Sequence, residues 1–264
     1  MQQVKILDVE VNVVNLPEVL TLVNEWIKQK SKHYIVTPNI EFIVAAQKDL
    51  EFRKILNDAD LSIPDSSRLG WAEQILSEKN LFKKILLWPL FILPIKPFIK
   101  DFPLVTGVDL MENICQNFQD SGATIGLLGG QSGVAEKLSE CLIKKYPNLR
   151  IPFVADGGRV SLQGELDDKN LPKVKMEIDV LFVAFGHIKQ EKWIVKNIQN
   201  FSAKVFIGVG GAFDYLSGNI PRAPLLVRSL KLEWLFRLIF QPWRIKRFIS
   251  LVKFVFLVLF ATKS

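Results

Sequence analysis

Apolar positions along the first 220 residues follow two alternating rhythms. Short unbroken runs at His33–Val36, Ala59–Ile63, Ala123–Leu128, Ile151–Ala155, Asp179–Phe185 and Lys204–Val209 read as buried strands. Between them, apolar side chains recur every third or fourth residue. Leu20, Val23, Trp26 and Ile27 share one face of a helix from about Pro17 to Gln29, and further helices are expected up to Asn57, from Asp109 to about Gln119, over Val134–Lys145 and over Lys189–Ile198. Val4–Val14 reads as a β-rich opening. Strands alternating with helices predict an α/β, Rossmann-like fold: a mostly parallel sheet with helices on both faces. After about Gly218 the strands stop. The division expected is a core over 1–220, carrying an apolar insertion at about 81–100, and a helical appendage over 221–264.

In such sheets ligands bind beyond the carboxyl ends of the strands. Five predicted strand ends carry glycine or polar punctuation: Thr37-Pro38-Asn39, Pro64-Asp65-Ser66-Ser67, Gly129-Gly130-Gln131, Gly186 with Lys189-Gln190-Glu191, and Gly210-Gly211. Gly129-Gly130 with Gly133 ahead of a helix would let backbone N–H groups approach a phosphate or ribose. A plain strand-to-helix turn has the same look. Asp65 can serve as general base for a hydroxyl, or cap the following helix, the commoner use of aspartate. Thr37 and Asn39 face the same choice.

Charge changes the picture of the appendage. The 264 residues hold 34 Lys and Arg against 27 Asp and Glu, a formal net charge of +7. From Pro221 to Ser264 there are nine basic residues and one acid, Glu233, so this segment carries +8 and the rest −1. Two apolar stretches, Leu86–Ile95 and Ile249–Ala261, are flanked by lysines or arginines. Both fall short of the roughly 20 residues of a membrane span. Basic flanks with Trp and Phe beside them describe segments lying on an anionic membrane surface, with core or an oligomer interface as the plainer reading. Nucleic acid is disfavoured, because apolar residues interleave the tail charges.

Other chemistries find little footing. Cys115 and Cys141 are too few for a disulfide scaffold and fit a reducing cytosol, as does an N-terminus without a signal-peptide pattern. His33 and His187 lie far apart with no paired cysteines, so no metal site of usual spacing is expected. There is no Gly-x-Ser-x-Gly elbow.

A series of motifs then sharpens the reading. Thr37-Pro38-Asn39-Ile40-Glu41-Phe42, Ala59 to Asp65, Trp71-Ala72, Val105 to Leu110, Leu127 to Gly130, Ala184 to Trp193, Ile207 to Asp214, Pro221 to Pro224 and Leu232 to Arg237 resemble, in this order, the WecG/TagA/CpsF bacterial glycosyltransferases, glycosyltransferase family 26. The resemblance implies an inverting transferase without metal or other cofactor. It would move a sugar, N-acetylmannosamine-like or a related hexose, from a UDP donor to an undecaprenyl-diphosphate-linked acceptor in cell-wall or surface-polysaccharide synthesis. It would work in the cytoplasm, peripherally on the inner face of the membrane. By this resemblance Asp65 is the base, Thr37 and Asn39 lie near the sugar end of the pocket, and Gln190 belongs to the nucleotide site. Arg237, Arg244 and Arg247 match arginines of an appendage that closes over the site. Gly129, Gly130 and Gln131 complete the candidate binding residues.

Three departures stand out. Ser66 and Arg68 occupy places where glycines are usual, Pro103-Leu104 stands where an arginine often precedes Val-Thr-Gly, and the stretch from Lys83 to Lys100 is longer and more apolar than expected. The first two leave the donor sugar open, and the third suggests a second membrane contact. Two other readings stay on the table. One is an NAD(P)-dependent oxidoreductase using Asp156, 23 residues beyond Gly133, to hold a ribose. The other is a non-enzymatic membrane-binding protein. A homo-oligomer is compatible with each of them.

Overall fold

The computed structural model describes residues 1–91, 102–167, 174, 176–221, 224, 227, 236 and 245–261. A hairpin opens the chain. Strands β1 (Gln3–Ile6) and β2 (Val9–Asn12) pair antiparallel around Leu7 and Asp8, both at positive φ. Strands β3 (His33–Val36), β4 (Leu61–Ser62), β5 (Thr124–Gly129), β6 (Arg150–Ala155), β7 (Ile178–Ala184) and β8 (Ala203–Gly208) form one parallel sheet in the order β4-β3-β8-β7-β5-β6. This is the α/β, Rossmann-like architecture that the alternating pattern predicts.

Helices cover both faces. On one side α1 (Leu16–Trp26), α6 (Gly107–Ser121), α7 (Val134–Lys145) and α9 (Ala212–Leu216) pack around Phe118, Leu138, Phe182 and Phe213. On the other, α2 (Ile40–Ala46), α3 (Leu50–Asn57), α4 (Arg68–Ser77), α8 (Lys189–Asn197) and α10 (Ile245–Phe260) enclose Phe52, Trp71, Trp193, Phe206 and Phe254. Local chemistry sets the helix starts. Asn15 closes a capping box with Glu18 at α1, Asp49 caps α3, and Thr106 accepts from Asp109 N at 3.1 Å to start α6 two residues before the expected Asp109.

Strand β4 is shorter than the run Ala59–Ile63 suggests, because side chains take over its backbone pairing. Asp60 Oδ2 accepts from Tyr34 N at 2.9 Å and Asn12 Oδ1 from Ser62 N at 2.7 Å. The apolar insertion begins as α5 (Leu81–Leu87) and a 3-10 turn, Trp88–Phe91. Residues 92–101, including Lys96 and Lys100, lie outside the described residues. Of the appendage expected over 221–264, the described part is chiefly α10, which packs on α2, α4, α5 and the 3-10 turn.

The core makes a direct prediction. Phe182 on central strand β7 is fully buried. Phe182→Ala should cost about 3–5 kcal/mol of stability, read as a lowered urea midpoint at unchanged slope. A loss below about 1 kcal/mol would mean that this side of the sheet is loosely packed.

Candidate active site

The topology places a crevice at one edge of the sheet. Neighbours β5 and β7 lead into helices on opposite faces, α7 and α8, and β8 leads to α9 on the face opposite to the α2 and α8 that follow its neighbours β3 and β7. Where outgoing chains part in this way, the carboxyl ends of the strands are left open to a ligand.

A belt of hydrogen bonds ties these ends together. Thr37 Oγ1, buried after β3, donates to Gly208 O at 3.0 Å. Asp65 N donates to Pro38 O at 3.0 Å, Val105 N to Pro64 O at 3.2 Å, and Gly130 N to Ala184 O at 3.0 Å. Gly210 N donates to Gln190 Oε1 at 3.1 Å. The sequence motifs at 37–39, 64–65, 105–109, 129–130, 184–190 and 208–210 thus meet along one edge.

Each candidate residue has a definite place. Helix α4 starts at Arg68 with Ser67 in the cap position, so Asp65 is not the cap. Its half-buried side chain sits three residues beyond β4, on the loop tied to Pro38. Asn39 does act as a cap: its Oδ1 accepts from Glu41 N at 2.9 Å and Phe42 N at 3.4 Å. Gly129 and Gly130 have φ of 111° and 91°, and a Cβ on Gly129 would stand 2.7 Å from Ala184 C. Close approach of β5 to β7 is sufficient reason for that glycine. Gln131 is exposed on the loop beyond. Arg237 and Arg244 lie outside the described residues, and Arg247 belongs to α10 with its side chain outside them.

A polar knot forms the floor of the crevice. Gln190 and Glu191, in the first turn of α8, are both buried. Gln190 Nε2 donates to Glu191 Oε1 at 2.6 Å, while Glu191 Oε2 has no hydrogen-bond partner among the described residues. Burial pushes the Glu191 carboxyl up to about 8, against the pull of the Gln190 amide and nearby backbone N–H groups. Gly208 leaves the knot its room, because a Cβ would lie 2.7 Å from Gln190 Nε2 and 2.8 Å from Glu191 Oε1 and push both side chains aside. Just before the knot, Ile188 holds φ 70° and ψ −52°, a strained conformation for a β-branched residue. His187 Nε2 stands 3.9 Å from Glu41 Oε2, between the starts of α8 and α2.

Comparison with known proteins matches residues 4–92 and 95–264 to the model of the family described as "Glycosyl transferase WecG/TagA/CpsF family". The chain belongs to this family. A Bacillus subtilis (strain 168) relative is 28% identical over 261 residues, covering 95% of this chain and 91% of its own. A Staphylococcus aureus (strain MRSA252) relative is 28% identical over 223 residues (84% and 78%), and one from Bacillus spizizenii 28% over 234 (89% and 81%). All three are named N-acetylglucosaminyldiphosphoundecaprenol N-acetyl-beta-D-mannosaminyltransferase. The chain is a glycosyltransferase, and the oxidoreductase reading is not favoured.

Of the strand-end residues Lys189-Gln190-Glu191, sequence reasoning gave this transferase's Gln190 a binding role and Glu191 none. A Lys-Gln-Glu-Lys start to a helix reads as a solvated polar turn, and only the packing of β8 against it shows otherwise. Gly208 likewise lay inside the expected strand Lys204–Val209 and was given no role of its own. Arg68 is also buried, donating from Nε to Phe91 O at 3.1 Å with its guanidinium 5.4 Å from the Phe91 ring centre. Burial pushes it down to about 10.

The knot predicts a pH effect. Glu191 holds its proton more tightly folded than unfolded, so native stability should fall as pH rises from about 4.5 to about 8. Glu191→Gln keeps a hydrogen-bonding group for Gln190 and removes this titration, so its unfolding free energy should lack that part of the decline. Parallel wild-type and variant profiles across the window would refute a buried neutral acid. Glu191→Leu, which strands the Gln190 amide, should cost about 1–3 kcal/mol.

Proposed function

We propose that this transferase moves an N-acetylmannosamine-like sugar from UDP to the N-acetylglucosamine of an undecaprenyl-diphosphate-linked acceptor, in cell-wall or surface-polysaccharide synthesis. The observation that carries the reading is the match over nearly the whole chain to a family whose relatives bear that activity in their names. The position of Asp65 supports it. Asp65 lies half-buried three residues beyond β4, at a carboxyl strand end where a ligand of such a sheet is expected.

In this mechanism Asp65 accepts the proton of the acceptor hydroxyl as its oxygen attacks the anomeric carbon. The bond to the β-phosphate oxygen breaks on the opposite face of the sugar, inverting the configuration, and UDP departs. Arg237, Arg244 and Arg247, assigned by the family resemblance, offset the charge that grows on the leaving diphosphate, so that no metal is needed. Thr37 and Asn39 shape the sugar end of the crevice through the β3 and α2 termini they fix. Gln190 fixes the Gly210 turn on which the nucleotide is to rest, with Gly129, Gly130 and Gln131 along its other side. The acceptor is a membrane lipid, so the enzyme works peripherally at the cytoplasmic membrane surface. Among the described residues no helix is long and apolar enough to cross a bilayer.

A donor screen tests the proposal. Purified protein, a panel of UDP-sugars and a water-soluble short-chain diphosphate-linked acceptor should release UDP fastest with UDP-N-acetylmannosamine. Asp65→Asn should lower kcat by about 10²–10⁴-fold with UDP affinity largely kept. Near-wild-type turnover in that variant would refute Asp65 as base.

A further inference from the structure

One buried acid has no part in the mechanism above. Glu191 is completely buried in the first turn of α8. Its Oε1 accepts from Gln190 Nε2 at 2.6 Å, and Gln190 Oε1 accepts from Gly210 N at 3.1 Å. The contacts run from acid to amide to the Gly208–Gly211 turn. Gly208 closes them from the strand side, since Gln190 Nε2 and Glu191 Oε1 fill the space where its Cβ would stand. The second carboxyl oxygen, Oε2, is buried with no hydrogen-bond partner among the described residues.

We propose that Glu191 is a positioning residue for the nucleotide: as a neutral acid it holds Gln190 against the Gly208–Gly211 turn, and its ionisation releases that hold. This rests on the nucleotide reading of the crevice and adds to it a proton that the bound state retains.

A carboxylate in this place would be a buried charge without a counter-ion. The cations around it have other partners. On the side of α3, Lys192 meets Asp49 at 2.8 Å and Glu51 at 2.7 Å, Arg53 meets Asp8 at 3.2 Å, and Lys54 meets Asp58 at 2.6 Å. Further along α8, Lys196 pairs with Glu165 at 3.2 Å. Strands β7 and β8 bring Asp179 and Lys204, which pair with one another at 2.9 Å near the amino ends of those strands. Ahead of the helix, His187 stands 3.9 Å from Glu41 of α2, and Lys189 begins α8 half-buried. Among the described residues none of these cations pairs with Glu191. Burial therefore dominates, and it is this that pushes the carboxyl up to about 8.

Ionised, the carboxylate gains by turning toward water, and it must part from Gln190 to do so. A charge that stayed in place would lie behind a turn that is to receive a diphosphate, where like charges repel. Either course weakens the nucleotide site. Affinity should therefore be full while the acid is neutral, below about pH 8, and be lost as pH rises through that value.

Titration calorimetry of the full chain with UDP tests this above about pH 7, where the phosphates, with a last ionisation near about 6, no longer change charge. Wild type should bind UDP about ten-fold more weakly at pH 9 than at pH 7, and should take up about half a proton on binding at pH 8, read from the dependence of the heat on buffer ionisation. Glu191→Gln, which still accepts from the Gln190 amide, should rescue binding at pH 7 and show neither the decline nor the uptake. Glu191→Leu, which does not accept, should bind about ten-fold more weakly at pH 7. Absence of proton uptake by wild type, an equal decline in Glu191→Gln, or wild-type affinity in Glu191→Leu would each overturn the inference and leave the proposed function standing. Binding with the expected uptake but no turnover of any UDP-sugar would uphold the inference and overturn the proposed function. A wild type that binds no UDP at any pH would overturn both.

Discussion

Two backbone groups of the β8 turn, the Gly208 carbonyl and the Gly210 N–H, are held by side chains from neighbouring elements: Thr37 beyond β3 and Gln190 on α8. The site depends on this arrangement. In this Gly208-Val209-Gly210-Gly211 turn only Val209 has a side chain, and it is packed in the core; a Cβ on Gly208 would strike the Gln190 and Glu191 side chains. The order in the crevice is therefore imported from both flanks of β8. The Gly210 N–H can only donate, so it takes Gln190 Oε1 and leaves Nε2 to donate to Glu191 behind it.

Much of the fold was legible because burial and period agree. Strand β3 and helix α7 have the limits that the apolar pattern sets, since each is bounded by residues that stop it: Thr37-Pro38 in one case and Gly133 in the other. Strand β4 was legible as a strand but not in length, because Asn12 and Asp60 replace backbone partners with side-chain oxygens. Periodicity carries no information about that exchange. In the site, Asp65 and Gln190 were found through their motifs, and pattern alone had favoured a cap for Asp65. The carboxylate of Glu191 was hidden by its polar neighbours in sequence. Lys192 next to it is equally buried, its ammonium 2.8 Å from Asp49 Oδ2 and 2.7 Å from Glu51 Oε2. A polar run at a helix start reads as solvent-facing unless the element packed over it is known.

By sequence alone the departures at 66–68 bear on the donor sugar. For Arg68 the structure gives a different physical account: its guanidinium meets Phe91 on the face carrying α10. Removing a guanidinium from water is costly, and burial here already lowers its proton affinity. Such a residue persists where it organises something. What it organises is the turn that closes α5, by way of a backbone carbonyl that Phe91 presents whatever its side chain.

Helix α4 joins the two ends of this account. Its first turn follows the Asp65 loop, and Arg68 and Trp71 on the same helix hold the 3-10 turn and α10. In the proposed reaction the lipid-linked acceptor has its reacting hydroxyl a diphosphate and a sugar away from the bilayer, so a base at Asp65 would have to sit at a fixed height above the headgroups. A rigid helix of 10 residues is a sound way to fix that height, better than a flexible tether, because orientation as well as distance enters the rate. The net +7 of the chain is then best understood as local: a body near neutrality, and a basic segment from Pro221 onward that carries +8.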